Sequence, residues 1–192
     1  MKNTIIYLIG FPGTGKYTIA KEIAASSRAR LIDNHLINNP IFSVLRTDGK
    51  TKLPKEVWDY TRRLGDIVRE AVVELGAPEE NFIFTNSITQ ENASDNIVYD
   101  KISQVAEQRA SVFVPVRLLC SLPTLQSRIV GRDRTERMKM TDAAAIADFY
   151  NKFTVFDPQH PHQITLDVTE IQPHQAASQI LAHSQTLPLI KD

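Results

Sequence analysis

A glycine-rich stretch near the start of the sequence has the composition of a phosphate-binding loop. Its residues, in order, are Gly10, Phe11, Pro12, Gly13, Thr14, Gly15, Lys16, Tyr17 and Thr18. In the pattern G-x-x-x-x-G-K, the glycines let successive backbone N–H groups point at phosphate oxygens, and the lysine bridges the outer phosphates of a nucleotide. An apolar run precedes the loop at residues 5–9, and a helical pattern follows at residues 19–24. Because a helix N-terminus adds partial positive charge, residues 10–18 predict nucleotide binding.

The residue after the lysine departs from this pattern. Phosphate-binding loops carry Ser or Thr there as a magnesium ligand, whereas this sequence has Tyr17. A hydroxyl follows at Thr18, but a helix turns about 100° per residue, so Thr18 does not take over position 17. Thr18 and Asp33 are the candidate Mg²⁺ ligands. Either the metal is held by phosphate oxygens and by water bound to Asp33, or metal-dependent chemistry is weak.

A carboxylate stands where a parallel sheet places its ligands. Ligands bind beyond the carboxyl ends of such strands, and Asp33 ends the second predicted strand. Its carboxylate can act as the base for a substrate hydroxyl or can hold metal-bound water. Aspartate is also a frequent helix N-cap, so the alternative is that Asp33 caps a helix over residues 36–39.

Two more residues are candidates for contacting an acceptor substrate. His35 follows Asp33 by two positions and either faces the same site or begins the next helix. Arg62 lies on a long predicted helix that would lean over the same pocket, where it would hold an anionic group of the acceptor. The alternative for Arg62 is exposure to solvent.

A cluster of basic residues follows the fourth predicted strand. Its members are Arg128, Arg132, Arg134, Arg137 and Lys139. Guanidinium groups match phosphate oxygens, and phosphoryl transfer depends mainly on positioning and on neutralising charge. We therefore interpret residues 128–141 as an arginine-bearing lid, with a solvated surface paired with Asp133 and Glu136 as the alternative.

Length and composition restrict the class of protein. The chain has 192 residues, of which 42% are hydrophobic, and this suits one packed domain over residues 1–192. Lys plus Arg and Asp plus Glu both number 22, so no overall charge attracts nucleic acid or an anionic membrane.

The lone Cys120 excludes an internal disulfide and fits a reducing compartment. No apolar run approaches the length of a membrane helix, and the start of the chain resembles a strand rather than a signal peptide. We expect a cytoplasmic protein.

The hydrophobic pattern alternates between strands and helices. Strands are predicted at residues 4–9, 29–32, 81–85, 112–119 and 163–168, and helices at residues 54–76, 93–110 and 173–183, with another beginning near Asp142. Apolar positions predicted to face inward are Val57, Leu64, Ile67, Val68, Ala71, Val72, Leu75, Ile97, Ile102 and Val105. The alternation predicts a three-layer α/β domain with a parallel sheet.

These residues together resemble the small P-loop kinases of the nucleoside-monophosphate-kinase-like group, particularly the shikimate kinase, gluconate kinase and chloramphenicol phosphotransferase branch. Residues 10–18 resemble the phosphate loop, Asp33 resembles the acidic residue after the second strand, and residues 128–137 resemble the lid. The resemblance implies a P-loop NTPase fold with a five-stranded parallel sheet in the order 2-3-1-4-5. It also implies that Arg128 stacks on adenine and that Arg134 or Arg137 contacts the transferred phosphate. His35 replaces the second aspartate of the shikimate-type D-x-D, which argues against shikimate as the acceptor.

The expected activity is transfer of the γ-phosphate of ATP to the hydroxyl of a small molecule. Lys16, Asp33, Arg134 and Arg137 are the expected catalytic residues, and ATP and Mg²⁺ are the expected cofactors. Two alternatives stay open: a nucleotide-binding regulatory module with weak or lost catalysis, and a nucleotide kinase. The acceptor, the choice of ATP over GTP and the choice between monomer and homodimer also stay open.

Overall fold

The chain folds around a five-stranded parallel sheet. The computed structural model describes residues 1–45, 51, 53–131 and 138–188. Its strands are β1 (Thr4–Gly10), β2 (Arg30–Asp33), β3 (Phe82–Asn86), β4 (Val112–Leu119) and β5 (Ile164–Asp167). They lie in the order β2-β3-β1-β4-β5, and every pair is parallel. The fold class and the strand order expected from the sequence are confirmed.

Helices connect these strands. In the described residues they are α1 (Lys16–Ser27), α2 (Asn34–Phe42), α3 (Val57–Leu75), α4 (Ala93–Gln108), α5 (Leu122–Ile129), α6 (Ala143–Lys152) and α7 (Pro173–Thr186). Side-chain caps fix two of their starts: Asn92 accepts from the Ser94 N–H, and Asp142 accepts from the N–H groups of Ala144 and Ala145. None of these described helices has the length and apolarity needed to cross a bilayer.

The central strand β1 forms the middle of the core. All seven of its residues are buried, as expected for a parallel strand covered on both faces. The register places Ile9 of β1 beside Asn86 and Asp33 of β2 beside Thr85. The ends of three neighbouring strands therefore meet at one edge of the sheet, next to the chain that follows Gly10.

Three apolar residues predicted to face inward are exposed instead. Ile67, Leu75 and Ile97 expose 60%, 81% and 55% of their surface. The buried positions of α3 include Thr61 and Gly65, which hydrophobicity alone does not mark. Ile67 lies two residues beyond Gly65, about 200° around the helix. The inward assignment of these three residues was wrong. On α3 a polar and a small residue occupy part of the packed face, and on α4 the buried face is formed by Tyr99, Ile102, Val105 and Ala106.

Candidate functional site

The chain between β1 and α1 curls tightly. Gly13 and Gly15 have φ angles of +93° and +87°, a conformation that side chains disfavour. The Thr14 hydroxyl donates to the Phe11 carbonyl at 2.9 Å and is buried. Helix α1 begins directly after Gly15 and has no acidic residue in its first turn. The positive end of α1 therefore meets the loop, as an anion-binding site requires.

The Lys16 side chain folds back over this loop. Its ammonium donates to the Gly10 carbonyl at 2.6 Å and to the Phe11 carbonyl at 2.9 Å. These contacts hold the charge beside the start of α1. The ammonium is therefore placed to bind phosphate oxygens there.

Two cavities adjoin the phosphate-binding loop. The first has a volume of about 350 Å³, and the second about 380 Å³. Gly13, Gly15 and Thr18 line both of them. Of the other predicted nucleotide-binding residues, Thr14 and Arg128 line the first cavity, and Pro12, Lys16 and Tyr17 line the second. The same loop thus provides a wall to each cavity, and Gly10 lies behind it.

The side chain of Arg128, on α5, forms hydrogen bonds with the chain that follows β5. Its guanidinium donates to the carbonyls of Val168 and Thr169 at 3.1 and 3.2 Å. Val168 lines the first cavity together with Ile171, Gln172 and Pro173. Arg128 therefore shapes this cavity by fixing its far wall, and the stacking of Arg128 on adenine stays a prediction.

Asp33 lies in the second cavity with its carboxylate held in place. The residue is 3% exposed, and its Oδ1 accepts from the Thr85 hydroxyl at 2.5 Å. Asp33 occupies the position before α2 but makes no side-chain capping bond. The Asn34 N–H instead donates to the Thr85 hydroxyl at 3.3 Å. The carboxylate is therefore directed to the cavity rather than to the end of the helix.

Lys139 brings an ammonium to this carboxylate. Its Nζ lies 3.7 Å from Oδ2 of Asp33, and its side chain is 13% exposed. The same Nζ lies 4.8 Å from the centre of the Tyr17 ring, within the range of a cation–π contact. Tyr17 thus presents an aromatic face to a protein cation at the position where the motif has a hydroxyl.

His35 borders the second cavity as a neutral imidazole. Its Nδ1 lies 3.2 Å from Oδ1 of Asn39. Burial and the nearby Lys139 ammonium lower the pKa of His35 to about 4, although Asp33 partly opposes this shift. At neutral pH the residue therefore offers a planar ring without positive charge.

We predict that His35 makes folding stability depend on pH. Its pKa is about 4 in the folded chain and about 6.5 in an unfolded one. As the pH falls from about 6.5 to about 4, the unfolded chain takes up a proton that the folded chain does not, so stability decreases. His35→Gln removes this contribution, and its free energy of unfolding should fall less steeply across that range in urea titrations. The exposed control variant His174→Gln should keep the slope of the native protein, and equal slopes for His35→Gln and the native protein would refute the assignment.

The structure does not bring every predicted residue to this site. Arg62 pairs with Asp59 one turn earlier on α3, and its side chain is half exposed. It is not among the residues that line the second cavity, so the structure gives no support to its role with the acceptor. Arg134 and Arg137 lie outside the described residues.

Several lining residues were missed by sequence reasoning. Asn38, Phe42, Trp58 and Ser87 line the second cavity, and so does Lys139, which the sequence placed in the lid without linking it to Asp33. Ser87 could have been found because it directly follows β3, at the ligand-binding edge of the sheet. Trp58 and Phe42 carried no such signal, since their contact depends on how α2 and α3 pack. Among the described residues, no group of three His, Cys, Asp or Glu side chains is arranged to hold a metal.

Comparison with known proteins supports the fold. No protein-family model and no curated protein matches this sequence. A sugar kinase from Janibacter sp. HTCC2649 superposes with a TM-score of 0.62 at 18% identity, covering 99% of each chain. A gluconokinase from Sinorhizobium meliloti 1021 gives 0.62 at 16% identity, covering 95% of this chain and 92% of the other. The Mycobacterium tuberculosis APS kinase, solved with AMPPNP and APS, gives 0.59 at 12% identity, covering 96% and 99%. This chain therefore has the fold of the small P-loop kinases, as its glycine-rich loop and its strand order indicated.

Proposed function

We propose that this protein is a phosphotransferase that moves the γ-phosphate of ATP to the hydroxyl of a small molecule. The observation that supports this most strongly is the pair of cavities that share Gly13, Gly15 and Thr18. Two ligands bound on either side of one phosphate-binding loop meet at that loop. This arrangement suits transfer between them, because phosphoryl transfer depends mainly on positioning and charge stabilisation.

The nucleotide is assigned to the first cavity. Its phosphates would lie on the N–H groups at the start of α1, and Lys16 would contact the outer phosphates. The APS kinase that shares this fold was solved with AMPPNP, which supports ATP as the donor. By resemblance, Arg134 or Arg137 is assigned to the transferred phosphate.

The acceptor is assigned to the second cavity, with Asp33 as its base. The acceptor oxygen forms a bond to the γ-phosphorus while the bond to the bridging oxygen of ADP breaks. The hydroxyl proton passes to Asp33. A carboxylate has about four lone-pair sites, so Asp33 can accept this hydroxyl while it keeps the bond from Thr85.

Mg²⁺ is assigned to phosphate oxygens and water, with Asp33 and Thr18 as the protein groups near it. Both residues carry oxygen, the atom that Mg²⁺ prefers, and both line the second cavity. When bound, the ion neutralises charge on the phosphates. Tyr17 is not assigned as a ligand, since its ring lies against the Lys139 ammonium.

We predict that Tyr17→Ser lowers the Mg²⁺ concentration needed for half-maximal activity. The serine hydroxyl can bind the ion directly at about 2.0–2.1 Å, whereas a phenol extends too far from the backbone. ATP binding should survive in this variant. The matched control is Tyr17→Phe, which keeps the ring and should retain the native Mg²⁺ dependence. The initial rate is measured as a function of Mg²⁺ concentration for the native protein and both variants. Identical curves would refute the prediction.

One assay distinguishes the proposed activity from the two alternatives, a nucleotide kinase and a regulatory module. ADP release is measured with sugars, nucleosides, nucleotides and phenicol-type or aminoglycoside antibiotics as acceptors. The proposal expects release that depends on a hydroxyl compound. A nucleotide kinase would instead use a nucleoside monophosphate, which Asp33 would repel. The alternative of a regulatory module is favoured by Tyr17, which stands where the motif has Ser or Thr. Such a module would bind ATP equally well with and without Mg²⁺ and would release no ADP with any compound.

A further inference from the structure

Three rings form one side of the second cavity. These residues, His35, Phe42 and Trp58, are called the aromatic wall, and each of them lines the cavity. The centroids of His35 and Phe42 lie 6.4 Å apart at 75°, and those of Phe42 and Trp58 lie 6.0 Å apart at 88°. Edge-to-face contacts of this kind fix the orientation of the rings. The wall is therefore a preformed surface.

Trp58 is the part of the wall that a ligand can reach. Phe42 is 4% exposed and supports the wall from behind, whereas Trp58 is 45% exposed. A large ring that is half open yet borders a cavity offers an apolar face for stacking. Leu53, Met138 and Met140 add apolar surface to the same cavity.

Charged groups in the cavity already have partners within the protein. The Lys16 ammonium contacts the carbonyls of Gly10 and Phe11, and Lys139 pairs with Asp33. Among the described residues that line the cavity, none is an arginine. The described surface is thus better matched to an uncharged ring than to an anion.

We infer that the acceptor is an uncharged alcohol that carries a planar apolar or aromatic ring, with the ring against the aromatic wall and the hydroxyl at Asp33. Both surfaces border one cavity of about 380 Å³, within the range of about 300–1,000 Å³ typical of small-molecule sites. This inference rests on the proposed function and adds the class of acceptor.

The chain carries its own reporter for this site, because Trp58 is the single tryptophan of the sequence. In the presence of AMPPNP, the native protein is titrated with 2-phenylethanol and uridine as ring probes. Glucose serves as an uncharged polyol and gluconate as an anionic one. The ring probes should change the tryptophan emission and bind at least about tenfold more tightly than either polyol. With ATP, the KM values from ADP release should follow the same order.

Variants separate stacking from a general loss of structure. Trp58→Ala should raise the KM of the ring probes about tenfold and leave that of ATP unchanged. Trp58→Phe, which retains a ring, should restore most of the loss. Tyr60→Ala is the matched control, since Tyr60 is also an exposed aromatic on α3 but does not line the cavity. Its KM values should equal those of the native protein.

The outcomes distinguish this inference from the proposed function. If glucose or gluconate is phosphorylated with a lower KM than the ring probes, the phosphotransferase proposal stands and the ring inference is overturned. If the ring probes bind selectively beside Trp58 but no phosphate moves to any compound, the aromatic wall binds a ring-bearing ligand that is not an acceptor, and the phosphotransferase proposal fails. Equal effects of Trp58→Ala and Tyr60→Ala overturn the inference, and so does failure of the ring probes to bind a protein that binds AMPPNP.

Discussion

Replacing Lys16 by alanine is expected to weaken ATP binding about 10- to 100-fold without unfolding the protein. Charge-assisted hydrogen bonds contribute about 1.5–3 kcal/mol each, and the Lys16 ammonium is held where the outer phosphates are assigned. The side chain contacts two loop carbonyls, those of Gly10 and Phe11, and is not part of the hydrophobic core. Calorimetric titration with ATP measures the loss, and thermal unfolding checks the fold.

The matched control for this prediction is Lys21→Ala. Lys21 is an exposed lysine of the same helix and lines neither cavity. Its removal changes the net charge by the same amount, so it corrects for any general electrostatic effect. If Lys16→Ala and Lys21→Ala bind ATP equally well, residues 10–18 do not hold the outer phosphates as assigned.

Replacing Asp33 by asparagine is expected to reduce turnover by roughly 10²-fold or more, the usual cost of losing a general base. The amide has nearly the same size, and its oxygen can still accept from the Thr85 hydroxyl that now donates to Oδ1. ATP affinity should stay close to that of the native protein. Steady-state rates at saturating ATP and acceptor measure the change in kcat.

Asp100→Asn is the matched control for Asp33→Asn. Asp100 is an exposed carboxylate on α4, and it lines neither cavity. It should leave kcat unchanged. Full turnover by Asp33→Asn would show that the buried carboxylate has a structural role only. An equal fall in kcat and in ATP affinity would place Asp33 on the nucleotide side of the reaction.

The sequence alone predicted the parts of the site that depend on local patterns. The phosphate-binding loop is recognisable because the glycines and Lys16 act through spacing along one segment. Asp33 is recognisable because it ends a strand, and the ends of neighbouring parallel strands meet at one edge. These features follow from backbone geometry and need no knowledge of how the helices pack.

The remaining contacts depend on packing between distant segments. Lys139 is far from Asp33 in the sequence, and only the fold brings its ammonium to 3.7 Å from the carboxylate. Arg62 shows the reverse case. Its neighbour Thr61 is buried, and one residue turns the helix by about 100°, which carries Arg62 away from that face. Periodicity located only part of this face, because Thr61 and Gly65, which belong to it, are not hydrophobic.

A crystal structure of the protein with AMPPNP and Mg²⁺ would show directly where the nucleotide lies. We expect the phosphates to lie on residues 13–16 beside the Lys16 ammonium, and the adenine to enter the cavity lined by Arg128 and Pro173. The γ-phosphate should then face Asp33 across the loop. Adenine bound instead between Asp33 and Trp58 would contradict this placement, because it would fill the cavity assigned to the acceptor.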